Sequence, residues 1–220
     1  MSGPVARTPF HFHGCWELHE MLGRRAYDER ELLEHLEDVP LDSIYFHTHG
    51  CFLRERTFPG AYPNDFATWA AIQVRDRVLG EKLGIVDPLD FADLESLRAE
   101  VLSLVDDHLS ELGSVPRIMY GEPFYFMQSR VLEIATGIKV RTLAEFRDAL
   151  EVVDATAVYV HVVEARGRKG RRRNDFATWI DEQLGLGGLA TAVSRLNPFP
   201  LGLDAVRRRL IALCDEALRE

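Results

Sequence analysis

Histidine is concentrated near the start of the chain, where six of the eight residues of this type lie within the first 49 positions. His11 and His13 lie two residues apart, so on a strand both imidazoles would point to the same side. His47 and His49 have the same spacing in a later segment. Neutral imidazoles are good ligands for zinc and other transition metals. The four histidines therefore form a candidate site for a divalent transition metal, and a metal-dependent enzyme of the hydrolase type is one function that the sequence suggests.

This metal hypothesis depends on the conformation of the segment that carries His47 and His49. If the segment is helical, the two imidazoles point about 200° apart and cannot bind one metal ion. The motifs of the common catalytic classes are also absent: there is no glycine-rich phosphate loop, nucleophile elbow, His-Glu-x-x-His motif or dinucleotide fingerprint. The sequence therefore favours a protein that is not an enzyme and that has no cofactor.

One strongly basic stretch stands out in an otherwise acidic chain. Between positions 166 and 173, six side chains are cationic, namely Arg166, Arg168, Lys169, Arg171, Arg172 and Arg173. Guanidinium groups on a loop with two glycines suit phosphate, nucleic acid or an acidic protein surface. No aromatic residues alternate with the arginines, so base stacking on single-stranded nucleic acid is not indicated. The stretch predicts an unidentified protein or an anionic ligand as partner, and a solvated loop that balances local acidity is the alternative.

A hexapeptide, Asn-Asp-Phe-Ala-Thr-Trp, occurs twice without change, at 64–69 and at 174–179. Further matches follow in the same order at nearly constant spacing. An ordered series of this kind predicts a tandem duplication. We expect repeat units at 1–112 and 117–220, joined by a linker at 113–116 and forming one compact pseudo-twofold body.

Four residue types recur at matching positions in both halves, namely in His47, Asn64, Asp65, Trp69, His161, Asn174, Asp175 and Trp179. They could form two equivalent pockets or one composite pocket. We favour a structural role, because a fold constraint must be met in both halves whereas a single active site need not be. In this interpretation the histidines hydrogen-bond to loops, the tryptophans fill the core, and Asp65 and Asp175 are helix N-caps.

Hydrophobic residues recur at helical spacing through much of the chain. Asp28 and Thr142 are suitable N-caps, each followed three residues later by a glutamate. The spacing predicts helices after both caps and a long helix at the end of each half, at 28–38, 142–152, 94–112 and 204–219.

Short strands are predicted at 10–13 and 124–127, where aromatic residues alternate with other types. We expect these strands to pair one repeat with the other. Short helices are predicted to follow the strands and to end at Gly23 and Gly137, since glycine commonly ends a helix.

The segments 43–54 and 157–168 fit two interpretations. Their β-branched residues are typical of buried strands near 43–49 and 157–163, which would make the fold α+β. Val158, His161 and Val162 also fit one face of a helix, and the pattern is longer than a typical strand. We favour helix, so the predicted fold class is mainly α, a duplicated helical unit of roughly 100 residues.

Composition restricts the cellular setting. The chain has 220 residues, 46% hydrophobic residues and a formal net charge of −9. No apolar run is long enough to span a membrane, and the first residues lack the apolar core of a signal peptide. The three cysteines are far apart and form no Cys-x-x-Cys pair. We therefore expect a cytoplasmic protein that does not contact membranes, and the negative charge argues against nucleic acid as the partner.

Four motifs can be compared with known families: Phe-x-Phe at 10–12, Ser-Ile-Tyr-x-His at 43–47, Asn-Asp-Phe-Ala-x-Trp at 64–69 and Leu-x-x-Leu-Arg at 94–98. In this combination they resemble an uncharacterised bacterial and archaeal domain family of unknown function. The second half matches more loosely, with Ala157 in place of the serine. The resemblance implies an architecture and no reaction, so the sequence predicts a helical binding or regulatory module.

Overall fold

The computed structural model describes residues 3–54, 62–113, 121–167, 173–199 and 201–219 of the chain. Within these ranges the protein is mainly helical and contains one sheet of two antiparallel strands. This confirms the predicted class, mainly α with some strands. The search of the described ranges for a helix long and apolar enough to cross a membrane found none.

The chain divides into two compact units, and one of them combines both ends of the chain. The central unit consists of residues 17–130. The terminal unit consists of residues 1–16 together with residues 131–220. The repeat boundaries at 1–112 and 117–220 remain a prediction about the sequence, and positions 114–116 of the expected linker lie outside the described residues.

The sheet is formed by two strands of 17 residues each, β1 (Phe10–Ala26) and β2 (Phe124–Val140). In the terminal unit, Thr136 Oγ1 donates a hydrogen bond of 2.8 Å to the carbonyl of Phe12. In the central unit, Gln128 Nε2 donates one of 2.7 Å to the carboxylate of Glu20. The strands are therefore much longer than predicted, and each unit contains a paired segment of both.

The short helices predicted after the first residues of each strand are wrong, because both strands continue through the glycines expected to end those helices. Gly23 has a φ of 71° and Gly137 a φ of 82°. Glycine enters this left-handed region readily at a helix end and equally at an irregularity within a strand. The residue type alone therefore could not distinguish the two.

The helices of the central unit are α1 (Glu29–Asp38), α2 (Leu41–His47), α3 (Cys51–Arg54), α4 (Asp65–Trp69), a π-helical continuation (Ala70–Val74), α5 (Arg77–Gly84), a 3-10 turn (Pro88–Asp90) and α6 (Leu94–Glu111). Those of the terminal unit are α7 (Leu143–Val152), α8 (Ala155–Val158), a π-helical segment (Tyr159–Glu164), α9 (Ala165–Gly167), α10 (Asp175–Leu184), α11 (Gly187–Ser194) and α12 (Leu203–Ala217).

The predicted starts of α1 and α7 are confirmed. The side chain of Asp28 accepts a hydrogen bond of 2.9 Å from the backbone N–H of Glu31. Thr142 accepts one of 3.2 Å from the backbone N–H of Glu145, whose carboxylate bonds back to the N–H of Thr142 in a capping box. Each cap satisfies donors that a helix start leaves without an intrahelical partner.

The helical interpretation of 43–54 and 157–168 is confirmed for the described part of these segments, and the strands proposed near 43–49 and 157–163 are wrong. The ambiguity has a physical cause in the terminal unit. Val158, Val160, Val162 and Val163 are all fully buried. A helix buried on every side has a continuous apolar sequence, which is also the pattern of a buried strand.

Aromatic residues of the strands pack into each unit. In the terminal unit the ring of Phe12 stacks on Phe146, with 5.5 Å between ring centroids. In the central unit the ring of Phe124 stacks on Phe66 at 5.2 Å. Each sheet segment is thus part of a core, and it positions backbone groups next to the repeated histidines.

Candidate functional site

His47 connects three segments of the central unit. Its Nδ1 lies 2.7 Å from Oδ2 of Asp65 at the start of α4, and its Nε2 accepts a hydrogen bond of 3.0 Å from the backbone N–H of Met127 on β2. The side chain is only 3% exposed. Because a backbone N–H can only donate, Nε2 is the unprotonated nitrogen, and Nδ1 donates its proton to Asp65.

His161 makes the same contacts in the terminal unit. Its Nδ1 lies 3.0 Å from Oδ2 of Asp175 at the start of α10, and its Nε2 accepts a hydrogen bond of 3.0 Å from the backbone N–H of His13 on β1. His161 lies in the π-helical segment, where all six side chains are buried. The same His–Asp bridge therefore joins helix to strand in both units.

The protonation states of the first bridge follow from its surroundings. Burial lowers the pKa of His47, and the hydrogen bond to Asp65 opposes this shift without reversing it. Burial alone would raise the pKa of Asp65, but the hydrogen bond from His47 and the charge of Arg54 hold it below its ordinary value. A neutral imidazole thus donates to an ionised carboxylate. With both ring nitrogens in hydrogen bonds, His47 has no lone pair left to bind a metal ion or accept a proton.

Arg54 gives Asp65 a second partner. Its Nη2 lies 2.6 Å from Oδ2 of Asp65, and its Nη1 donates a hydrogen bond of 3.0 Å to the carbonyl of Phe46. The guanidinium carbon also lies 4.0 Å from the centroid of the Phe46 ring. Sequence analysis missed this role, because a single arginine at the end of α3 carries no motif.

The prediction that Asp65 and Asp175 are N-caps is wrong, since the preceding asparagines perform this function. Oδ1 of Asn64 accepts a hydrogen bond of 2.8 Å from the N–H of Ala67, and Oδ1 of Asn174 accepts one of the same length from Ala177. Their Nδ2 groups donate to backbone carbonyls of Leu83 and Val193. In an Asn-Asp pair either residue can cap, and the histidine partner selects the aspartate for the bridge.

The repeated tryptophans hold the chain just before each strand. Nε1 of Trp69 donates a hydrogen bond of 3.1 Å to the carbonyl of Glu122, and Nε1 of Trp179 donates one of 2.9 Å to the carbonyl of Thr8. The eight repeated residues therefore make matching hydrogen bonds in the two units.

The structure assigns the four candidate metal ligands to different units. His11 and His13 belong to the terminal unit, and His47 and His49 belong to the central unit. The ring of His49 is buried and stacks on Tyr45, with 4.5 Å between centroids and 4° between planes. Within the described ranges, a search for three or more His, Cys, Asp or Glu side chains placed to hold one metal ion found no such group.

A cleft of about 380 Å³ opens in the terminal unit, and its polar lining includes His11, His13, Glu133, His161, Asp175 and Glu182. Three of these side chains are carboxylic acids, and the lining contains no lysine or arginine among the described residues. Phe10 and Trp179 provide an apolar floor. Glu133 and Glu182 had no signal in the sequence, because single acidic residues on exposed faces are common.

The basic stretch is described only at its ends. Arg166 lies in α9, and Arg173 forms an exposed ion pair of 2.7 Å with Asp181. Arg168, Lys169, Arg171 and Arg172 lie outside the described residues.

Comparison with known protein families gives a match to most of the chain. The model of a family of unknown function, DUF5752, matches residues 7–215. The chain belongs to this family. The resemblance predicted from the motifs is thereby confirmed, and membership of DUF5752 brings no established reaction with it.

The DUF5752 chain is also similar to a solved structure, that of OrfY from Thermoproteus tenax. The two chains are 27% identical, superpose with a TM-score of 0.81 and cover 98% of each other. The search of curated proteins produced no match. The comparisons therefore support a shared fold across the whole chain and do not assign an activity.

Proposed function

We propose that this protein is a binding or regulatory module rather than an enzyme, and that its terminal unit carries the binding surface. The engagement of both nitrogens of His47 and of His161 carries this proposal. Groups that link helix to strand in two units belong to the framework. The residues that differ between the units are then the ones available for recognition.

Those differences gather in the terminal unit. Counted from the shared Phe-x-Phe motif, His11 and His13 take the places that Tyr125 and Met127 hold in β2. The basic stretch begins within α9 and belongs to the same unit. The first strand thus supplies polar groups to the unit whose sequence also contains the basic stretch.

The cleft and the basic stretch suit different parts of a partner. Three carboxylic acids would repel a phosphate, so the cleft favours a neutral or cationic hydrogen-bonding group. The cationic stretch at 166–173 favours an anionic group. We assign the anionic ligand or acidic protein surface to the basic stretch and a neutral or cationic polar group to the cleft.

The proposal includes a tandem duplication and a cytoplasmic location. The matching His–Asp bridges, asparagine caps and tryptophan hydrogen bonds support the duplication, because all recur with the same atoms. The three cysteines, all among the described residues, are buried and form no disulfide, which supports a reducing compartment.

Affinity capture with the basic stretch altered tests this function. Replacing Arg171, Arg172 and Arg173 with serine should abolish capture of partners from cell extract. We expect the melting temperature to stay within about 2 °C, since the ion pair of Arg173 is exposed and such pairs stabilise little. The control replaces three exposed arginines of the same unit, Arg195, Arg208 and Arg209, with serine. Equal capture by both triple variants and the native chain would contradict the assignment to the basic stretch.

Elemental analysis of the purified protein tests the alternative metal-dependent enzyme. A stoichiometric transition metal that is lost in a variant with His11→Ala and His13→Ala would favour that alternative. Thermal stability measured with added zinc, manganese or iron provides a second readout, which we expect to be unchanged.

A further inference from the structure

A buried acidic side chain lies in the central unit and takes no part in the His47–Asp65 bridge. Glu29 is the first residue of α1 and is 0% exposed. Neither oxygen of its carboxyl group has a hydrogen-bond partner among the described residues. A buried carboxylate without a partner is strongly unfavourable, so the group needs either compensation or a proton.

The titratable neighbours of Glu29 do not compensate an ionised carboxylate. They are Asp28 at the N-cap of α1, Asp76 at the N-cap of α5 and His108 in the last turn of α6, the helix against which α1 packs. Two of these three groups are acids, which repel a further negative charge.

His108 also has a buried polar atom without a partner among the described residues. Its Nε2 lies 2.7 Å from Oδ2 of Asp76, so Nε2 donates to that carboxylate. Its Nδ1 is buried and has no hydrogen-bond partner among the described residues. In the neutral tautomer Nδ1 is a bare acceptor. A protonated Glu29 has an O–H to donate, whereas an ionised Glu29 has only acceptors.

The terminal unit shows that the fold itself does not need these acids. Helix α7 begins with Leu143, which is buried, where α1 begins with Glu29. Helix α11 has Leu186 as its N-cap where α5 has Asp76. The same elements therefore form with apolar side chains at both positions. The central unit differs by having the titratable side chains of Glu29 and Asp76 there.

We propose that Glu29 is a proton-binding site that makes the central unit responsive to pH, with the protonated acid holding the start of α1 and the ionised acid loosening it. This inference concerns a different unit from the proposed binding surface and does not rest on it.

The electrostatics of the site agree with this proposal. Burial raises the pKa of Glu29 from 4.5 to about 7. The backbone N–H of Glu29 itself is the largest opposing influence, Asp76 and Asp28 add to the rise by repulsion, and His108 opposes it. The folded state therefore binds this proton more tightly than the unfolded chain. The stabilising effect of the proton is greatest below pH 4.5, falls as the pH rises to about 7 and is lost above that value.

The test compares the unfolding equilibrium constants of the native full-length chain and of Glu29→Gln, an uncharged mimic of the protonated acid, between pH 5 and 8.5. The ratio of the native constant to the variant constant should rise by roughly 50- to 100-fold across this range. Glu34→Gln is the matched control, since Glu34 is exposed on the same helix, and its ratio should stay constant.

A second variant and two further measurements keep the test decisive if Glu29→Gln folds poorly. Glu29→Leu copies the residue of the terminal unit and should remove the same pH-dependent component. Carbon-13 NMR of the native protein follows the carboxyl group directly. Hydrogen exchange in α1, corrected for its intrinsic pH dependence, should be faster in the native chain than in Glu29→Leu at pH 8.5. A titration midpoint below pH 5 for the Glu29 carboxyl overturns the proposal. So does a ratio of native to variant unfolding constants that stays the same across this pH range for both Glu29→Gln and Glu29→Leu.

Discussion

At the scale of single residues, the repeated histidines act as connectors between a helix and a strand. Each binds an aspartate through Nδ1 and a backbone N–H through Nε2. This arrangement differs from a catalytic base, which needs a free nitrogen facing substrate. The aspartates orient the histidines, and the asparagines before them cap the helices.

A double-mutant cycle on His47 and Asp65 distinguishes the bridge from a cap. Asp65→Ala should lower the free energy of unfolding by about 1–3 kcal/mol, because it leaves the buried Nδ1–H without an acceptor. In a His47→Ala background the same change should have a much smaller effect. Urea unfolding gives the free energy of unfolding of the native chain, the two single variants and the double variant. Additive effects of the two changes would contradict the bridge.

Acid should weaken the central unit through His47. Its pKa is lowered in the folded state by burial, so below about pH 6.5, the ordinary value, the unfolded chain binds a proton that the folded chain does not. Stability should therefore fall as the pH drops below that value, the opposite of the effect expected for Glu29. The difference in urea midpoint between the native chain and His47→Asn, measured from pH 5 to 7, should shrink toward the acid end.

At the scale of elements, the two units build the turn after the hexapeptide helix with different residues. Arg75 has a φ of 68° between the π-helical segment and α5, and Gly185 has the same φ between α10 and α11. A left-handed conformation is strained for a residue with a Cβ and free of strain for glycine. Each unit thus shows which residue type the other could have at this turn.

Exchanging the residues at this turn should change stability in opposite directions. Gly185→Arg should lower the free energy of unfolding by about 1 kcal/mol, and Arg75→Gly should raise it by up to about 1 kcal/mol. A Cβ at Gly185 would meet no atom within 4 Å, so a steric clash does not contribute. Thermal unfolding of the two variants checks the signs, and the same sign for both would contradict the strain argument.

At the scale of the whole molecule, the terminal unit depends on residues from the two ends of the chain. Phe10 and Phe12 contact Phe146 with ring centroids 5.9 and 5.5 Å apart. The carbonyl of Thr8 accepts the indole N–H of Trp179. The central unit, in contrast, contains both of its strand segments within residues 17–130.

Fragments of the chain should therefore fold unequally. Residues 17–130 should give a dispersed NMR spectrum alone, because they keep their whole core. Residues 131–220 should fold poorly alone, since they lack the aromatic side chains and hydrogen-bonding groups of β1. A synthetic peptide of residues 3–16 added in trans should restore dispersion. A well-dispersed spectrum for residues 131–220 without the peptide would show that the first strand is dispensable.

Much of the helical fold could be predicted from local patterns. Asp28 and Thr142 cap their helices as their spacing indicates, because capping involves groups only three residues apart. The predictions that failed concern contacts between distant residues. Nothing local shows that Asp65 accepts from His47 while Asn64 caps, since that choice depends on two segments meeting.

The candidate site also combines features that local sequence predicts with features that depend on contacts between distant residues. The sequence alone identifies the repeated residues, the family resemblance and the basic stretch, because each is a pattern within a continuous segment. Only the tertiary structure determines that His11 and His13 share a cleft with Glu133 and Glu182. It also determines that both ring nitrogens of His47 and of His161 are in hydrogen bonds. Pairing of the long strands decides this, because it assigns the first 16 residues to the unit formed by the last 90.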